Sequence, residues 1–452
     1  MNVFSASISR FGAAALALSA VAFIPLHAEK PIRFSEGLTQ LLKNNAKILE
    51  SKAQILSYSA YQTEASAMDY PTLSLLTFVA PIFESRGNAA ASQDNFNKWG
   101  PYIRGELTVV YPVFSFGRIA DAKQAAASAV EGARQLHESQ INKSIFDYKQ
   151  LYLQIILLNR YKAVLDDAGE KMRAVLSRAE KLYKKGTGEV QRKDLTRLKL
   201  FALELERFGA EWLANKKSAG LALGHFLGER ESLLVLEQDF PRIEDATRSL
   251  EALIAESQEK NPELKAVAAG LRARRHQVEM EKGGYLPVLF LAGRSEINYT
   301  DLRDSQQSSY AFDPFNRNWF AVVFGAKWDI DFGNTKAKVQ RAQAELEKMQ
   351  AKQSEALTGL PLKVAMAMWE FEKFKFQSEI VQSKYKEANK WALSEMTAYT
   401  TGTGSAKDLI EALGAQLMTE KESAEMEYNL CLAAAKLAME IGDQNTLGQW
   451  RE

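Results

Sequence analysis

Cysteine is nearly absent: Cys431 is the only one in 452 residues, so no disulfide can close within the chain. Histidine is scarce as well, at four residues, which leaves a histidine-built metal centre short of ligands. An excess of one charge is missing too. The 57 Lys and Arg against 56 Asp and Glu leave a formal net charge of +1, without the basic surplus that a nucleic-acid partner requires. Beyond the first residues no run approaches the eighteen apolar positions of a membrane-spanning helix. There is no Ser-His-Asp or metal-ligand constellation. "GTGEVQRKD", from Gly186, lacks both the Gly-Lys-Ser/Thr ending and the preceding strand of a phosphate-binding loop. The sequence thus calls for no cofactor, no metal and no enzymatic centre.

What is present begins with a leader. Arg10 is followed by "FGAAALALSAVAFIPL" and then "LHA", the pattern of a secretory signal peptide over residues 1–28 with cleavage after Ala28. No cysteine lies near that point to carry a lipid. Export without a helical anchor leaves a soluble periplasmic or secreted protein, or an outer-membrane β-barrel.

The remainder reads as two copies of one unit. Tyr183 and Tyr399 each open a Tyr-x-x-Gly-Thr-Gly block, 216 residues apart, and three further landmarks keep the same offset. These are Asn45 and Asn261, Pro71 and Pro287, and Phe116-Gly117 and Phe332-Gly333. A period so long marks a duplicated substructure rather than a solenoid. The expected repeats are residues 29–245 and 246–452. Beyond its Gly-Thr-Gly the first is longer, since Gly186 precedes Asp194 by eight steps and Gly402 precedes Asp408 by six.

Each unit mixes two periodicities. Ile141, Ile145, Tyr148, Tyr152 and Ile155 alternate steps of four and three, a coiled-coil seam, and Leu195, Leu198, Ala202, Leu205 and Trp212 continue one past the turn. The spacing predicts helical hairpins over about 118–228 and 335–442, with a break or kink where Gly359 and Pro361 fall. Strands are predicted over about 71–84, 103–114, 287–299 and 320–331. In three of them an apolar face (Leu107, Phe324, Trp328) alternates with a polar one (Arg104, Glu106, Arg294, Glu296, Lys327, Asp329, Asp331). The segment from Pro71 alternates less clearly. Polar loops, 84–102 and 301–318, join each pair. Apolar outside and charged inside is the pattern of a transmembrane barrel, but four strands cannot close one.

The order helix, strand, polar loop, strand, Phe-Gly, long helix, glycine turn, long helix resembles the TolC-like outer-membrane efflux channels. The stretches "KNPELK", "GYLPVLFL", "WDIDFGNTKAKVQRAQAEL" and "YTTGTGSAKDLIEA" carry the likeness. That resemblance implies a mainly α fold with transmembrane β. Four strands per protomer contribute to a trimeric 12-stranded barrel, over a periplasmic coiled-coil tunnel. It also implies a homotrimer in the outer membrane that passively conducts what an inner-membrane pump and a periplasmic adaptor deliver. The alternatives are a soluble periplasmic coiled-coil adaptor or scaffold, and an exported enzyme.

By the same resemblance the hairpin tips, Gly186, Gly188, Arg192, Lys193, Gly402 and Gly404, dock the adaptor. The four glycines are expected to supply positive φ. The family's gate motif falls on Asp408 and Glu411, three apart on one helical face, where three chains form an acidic ring favouring cations. The first repeat carries Asp194 and Arg197 there, a pair able to neutralise itself. The arginine that often precedes the family's acidic pair is replaced by Gly404.

Overall fold

The computed structural model describes residues 30–88, 90–186, 190–230, 232–236, 239–243, 248–307, 310 and 312–443. The expected leader lies outside them. In chain order the elements are β1 (Lys30–Ile32), α1 (Phe34–Asn44), α2 (Ala46–Ala67), β2 (Thr72–Asn88), β3 (Ala91–Phe114), α3 (Arg118–Lys185) and α4 (Arg192–Phe226). They continue with β4 (Leu233–Val235), α5 (Leu250–Lys260), α6 (Pro262–Lys282), β5 (Val288–Tyr299), β6 (Asn318–Lys327), α7 (Asn334–Thr401) and α8 (Ala406–Ile441).

Two helical hairpins dominate. Their outgoing arms, α3 and α7, are each 68 residues long, about 100 Å at 1.5 Å per residue. A helix of that length stands only by burying a seam, and the heptad positions do so: Tyr148, Tyr152 and Ile155 are buried against α1, the end of α4 and the β1–β4 pair. There Tyr148 donates its hydroxyl to the Phe34 carbonyl at 2.9 Å. Of the break or kink expected at Gly359 and Pro361, no break occurs, since α7 runs through both. Leu360 and Val364 on either side are buried with Leu253 of α5 and Leu437 of α8. Tertiary packing holds the helix across the backbone bond that proline cannot make.

Asn45 and Asn261 explain their shared offset. Each caps a helix, accepting from Lys47 and Ile48 N–H in one case and from Glu263 and Leu264 N–H in the other. Each then donates its amide across the fold, to the Phe226 carbonyl at the end of α4 (2.9 Å) and to the Glu440 carbonyl near the end of α8 (3.1 Å). One side chain thus starts a helix and ties down the far end of its repeat's returning arm.

The strands form one antiparallel sheet in the order β2-β3-β5-β6. β2 and β3 extend much further than the sequence predicts, turning at Asn88–Ala91 where a polar loop over 84–102 was expected. A bulge at Phe83/Glu84, a Phe83–Phe96–Trp99 ring cluster and the Glu84–Lys98 contact at 2.8 Å stabilise the extension. Conversely β6 stops at Lys327, short of the expected 331. Asp331 turns to the start of α7 instead, accepting from Thr335 N–H (2.7 Å) and hydroxyl (2.8 Å). Those bonds hold its carboxyl below the usual aspartate range. No helix among the described residues is long and apolar enough to cross a membrane.

Candidate functional site: the charged sheet face and the hairpin tips

The sheet sorts its side chains as the alternation requires. Phe320 and Phe324 stand 69% and 65% exposed on one side. On the other, register places Glu106 directly opposite Glu296, a pairing of like charges that repels unless it is bracketed. Two arginines bracket it. Arg104 approaches Glu106 at 2.9 Å and Glu296 at 3.5 Å, while Arg294 approaches them at 2.8 and 3.7 Å. Asn298 (2.7 Å) and the Trp319 indole (3.2 Å) also donate to Glu296. The sequence revealed the charged face; it could not reveal the network, which depends on strand register. Lys327 and Asp329 lie 3.4 Å apart. Trp328, expected on the apolar strand face, sits past the end of β6 and donates its indole N–H to the Tyr285 carbonyl at 3.2 Å.

At the opposite end α3, α4, α7 and α8 converge on a second core that includes Ala179, Leu198, Tyr399 and Leu409. Gly186 and Gly402 terminate α3 and α7 at φ of 67° and 83°, left-handed values that glycine adopts without strain. Gly404 is there for a different reason than expected. Its φ is not left-handed; a Cβ on it would lie 2.8 Å from the Tyr399 nitrogen and 2.9 Å from the Ala398 carbonyl carbon. Gly188 lies outside the described residues. Arg192 and Lys193 are exposed in the first turn of α4.

Asp408 and Glu411 are both exposed near the start of α8. Ser405 caps that helix, accepting from Asp408 N–H at 3.2 Å and donating its hydroxyl to the Asp408 carboxylate at 2.7 Å. In the first repeat the bond runs the other way, Asp194 accepting from the N–H of the cap residue Gln191 at 3.2 Å, and Asp194 lies 3.7 Å from Arg197. The two tips are joined within the chain, since Arg178 of α3 donates to the Thr400 carbonyl.

Residues 253–443, from α5 through α8, match the family described as outer membrane efflux protein. The likeness in fold to solved channels extends further. It takes in the Campylobacter jejuni CmeC outer membrane channel, at 13% identity over 100% of this chain and 95% of that one with a TM-score of 0.75. It also takes in the outer membrane protein VceC from Vibrio cholerae, at 16% identity over 90% and 96% with a TM-score of 0.73, and the Neisseria gonorrhoeae MtrE outer membrane channel, at 15% over 91% and 89% with a TM-score of 0.69. No curated protein matches the chain.

The matched residues take in both acidic candidates, Asp408 and Glu411, and the second tip. The first tip, with Arg192 and Lys193, lies outside the matched residues and shares the fold alone. Sequence reasoning missed the long-range role of Asn45 and Asn261. Its one signal was their common spacing with a cap-forming residue type.

Proposed function

We propose that this chain is the outer-membrane channel of an efflux or secretion system, built as a homotrimer from two similar repeats, 29–245 and 246–452, per protomer. The sheet carries the argument. Its apolar face is bare while the charges of its other face bracket one another, and most of β2 and all of β6 are left as unpaired edges. In a bilayer unpaired edges are intolerable. Three copies closing into one twelve-stranded barrel pair every edge, place Phe320 and Phe324 against lipid, and turn the Arg104–Glu296 network toward water. A soluble hairpin scaffold has no use for such a face.

The long hairpins then continue the barrel as a periplasmic tunnel. Asp408 and Glu411 gate its far end, and the tips, with Arg192 and Lys193 on one and Gly402 and Gly404 on the other, receive an adaptor that couples to an inner-membrane pump. The chain moves substrate passively, with energy supplied by the pump. The test is reconstitution from purified outer membranes. Trimeric mass with discrete single-channel conductance in a planar bilayer is expected; a monomer that partitions with soluble proteins overturns the reading.

A further inference from the structure

On the channel reading, we propose that the described limbs of the connection between β5 and β6, residues 300–307 and 312–317, are folded into the barrel lumen as a fixed size filter at the outer mouth. In a lone protomer nothing lies across the sheet, so its charged side should be as bare as its apolar side. At the end remote from the helices it is not. Glu296 and Asn298 are 8% and 5% exposed, while Ile297 and Tyr299, facing the other way, are 59% and 61%. Tyr102, on the same side as Arg104, is buried too.

The sheet's own Arg104, Arg294 and Trp319 crowd Glu296, but over Tyr102 the cover is this connection. Tyr102 donates its hydroxyl to the Pro314 carbonyl at 3.1 Å and sets its ring edge-on to Phe315 at 5.6 Å. Thr300 donates to the Pro101 carbonyl at 3.0 Å, and the Ser85 N–H to the Leu302 carbonyl at 3.0 Å. The Leu302 side chain lies so close to Gly100 that a Cβ there would come within 2.7 Å. The Arg303 guanidinium lies over the rings of Phe83 and Phe315, at 4.7 and 4.8 Å. On the returning limb the Asp313 carboxylate accepts from the N–H groups of Gln306, Phe315 and Asn316. Anchors at both limbs and onto both strands of the β2–β3 hairpin hold a wall rather than a swinging loop. Three such segments, one per protomer, stand in the water path; small solutes pass and bulky ones are refused.

The filter can be tested from outside the cell, independently of any gate at the tunnel's far end. With Cys431→Ser as background, Thr108→Cys places a thiol on the charged side, opposite Arg294 and so deeper than the cover. In intact cells a small, membrane-impermeant methanethiosulfonate should label it, and a polyethylene-glycol maleimide of several times that width should not. Replacing residues 302–314 by a short Gly-Ser link should restore labelling by the bulky reagent in protein that still migrates as a trimer; Arg303→Ala serves if that variant does not assemble. If the bulky reagent labels the unshortened chain as fast as a cysteine on the outer hairpin, or stays excluded after the segment is loosened, the filter is wrong. Failure of the small reagent removes Thr108 from water and sinks the channel reading itself.

Discussion

At the scale of single residues, the two asparagines carry more than their neighbours. Replacing Asn261 by Ala removes a cap and strands the Glu440 carbonyl inside the fold, so a loss of about 1–2 kcal/mol is expected, with Asn45→Ala alike. Thermal unfolding of the detergent-solubilised protein measures it; an unchanged midpoint for both variants refutes the double role. Their importance was legible only as spacing, because the partner carbonyls lie 181 and 179 residues away in sequence. Asp408 presents a different ambiguity. Its hydroxyl partner Ser405 marks it as a helix-start acid, whereas Glu411 stands exposed one turn on. Helix-start duty and ring duty separate electrically. Asp408→Asn/Glu411→Gln should lower cation preference in a salt gradient, and equal reversal potentials for variant and parent reduce these acids to local caps.

At the scale of elements, strand alternation was readable wherever one face is apolar, and it failed over Ser92–Lys98, where neither face is. Register, which creates the Glu106–Glu296 opposition, has no local signature. The sorting itself is testable. Spin labels at 107 and 324 should be quenched by lipid-soluble oxygen more than labels at 106 and 327, and Phe324→Lys should cost about 2–4 kcal/mol near mid-bilayer; the reverse quenching order inverts the sheet. Helix α8 carries its own pH dependence. Burial raises the carboxyl of Glu420 above its ordinary 4.5, and Asp167 nearby adds to the shift, with Lys171 and Arg160 opposing. Burial likewise raises Glu427 and Glu440. An acid with a raised folded-state pKa holds its proton more tightly when folded. It therefore favours the folded bundle increasingly as pH falls from neutral toward about 4.5. Glu420→Gln should flatten that part of the stability profile, and a slope identical to the parent's removes Glu420 as its source.

At the scale of the whole molecule, the repeated landmarks were the most legible feature, while the proposed closure of the sheet was the least, because it rests on an exposed face rather than on a contact. The tips follow from the duplication yet are unequal. The first repeat has a longer turn and has Arg192 and Lys193 where the second has no basic pair. Reversing those two charges to Glu should leave trimers intact and abolish export in cells; retained export shows that the first tip is not where the adaptor's affinity lies. On the channel reading, the arginine–glutamate network of the sheet has a consequence of another kind. Two cations and two anions, interleaved on neighbouring strands, cancel to a wall with local dipoles and no net sign. Such a wall acts on permeating ions as an ohmic resistor in series, equal for both directions of flow. Any rectification of the current must then arise elsewhere along the conduit, as at the second tip, where Glu411 stands exposed.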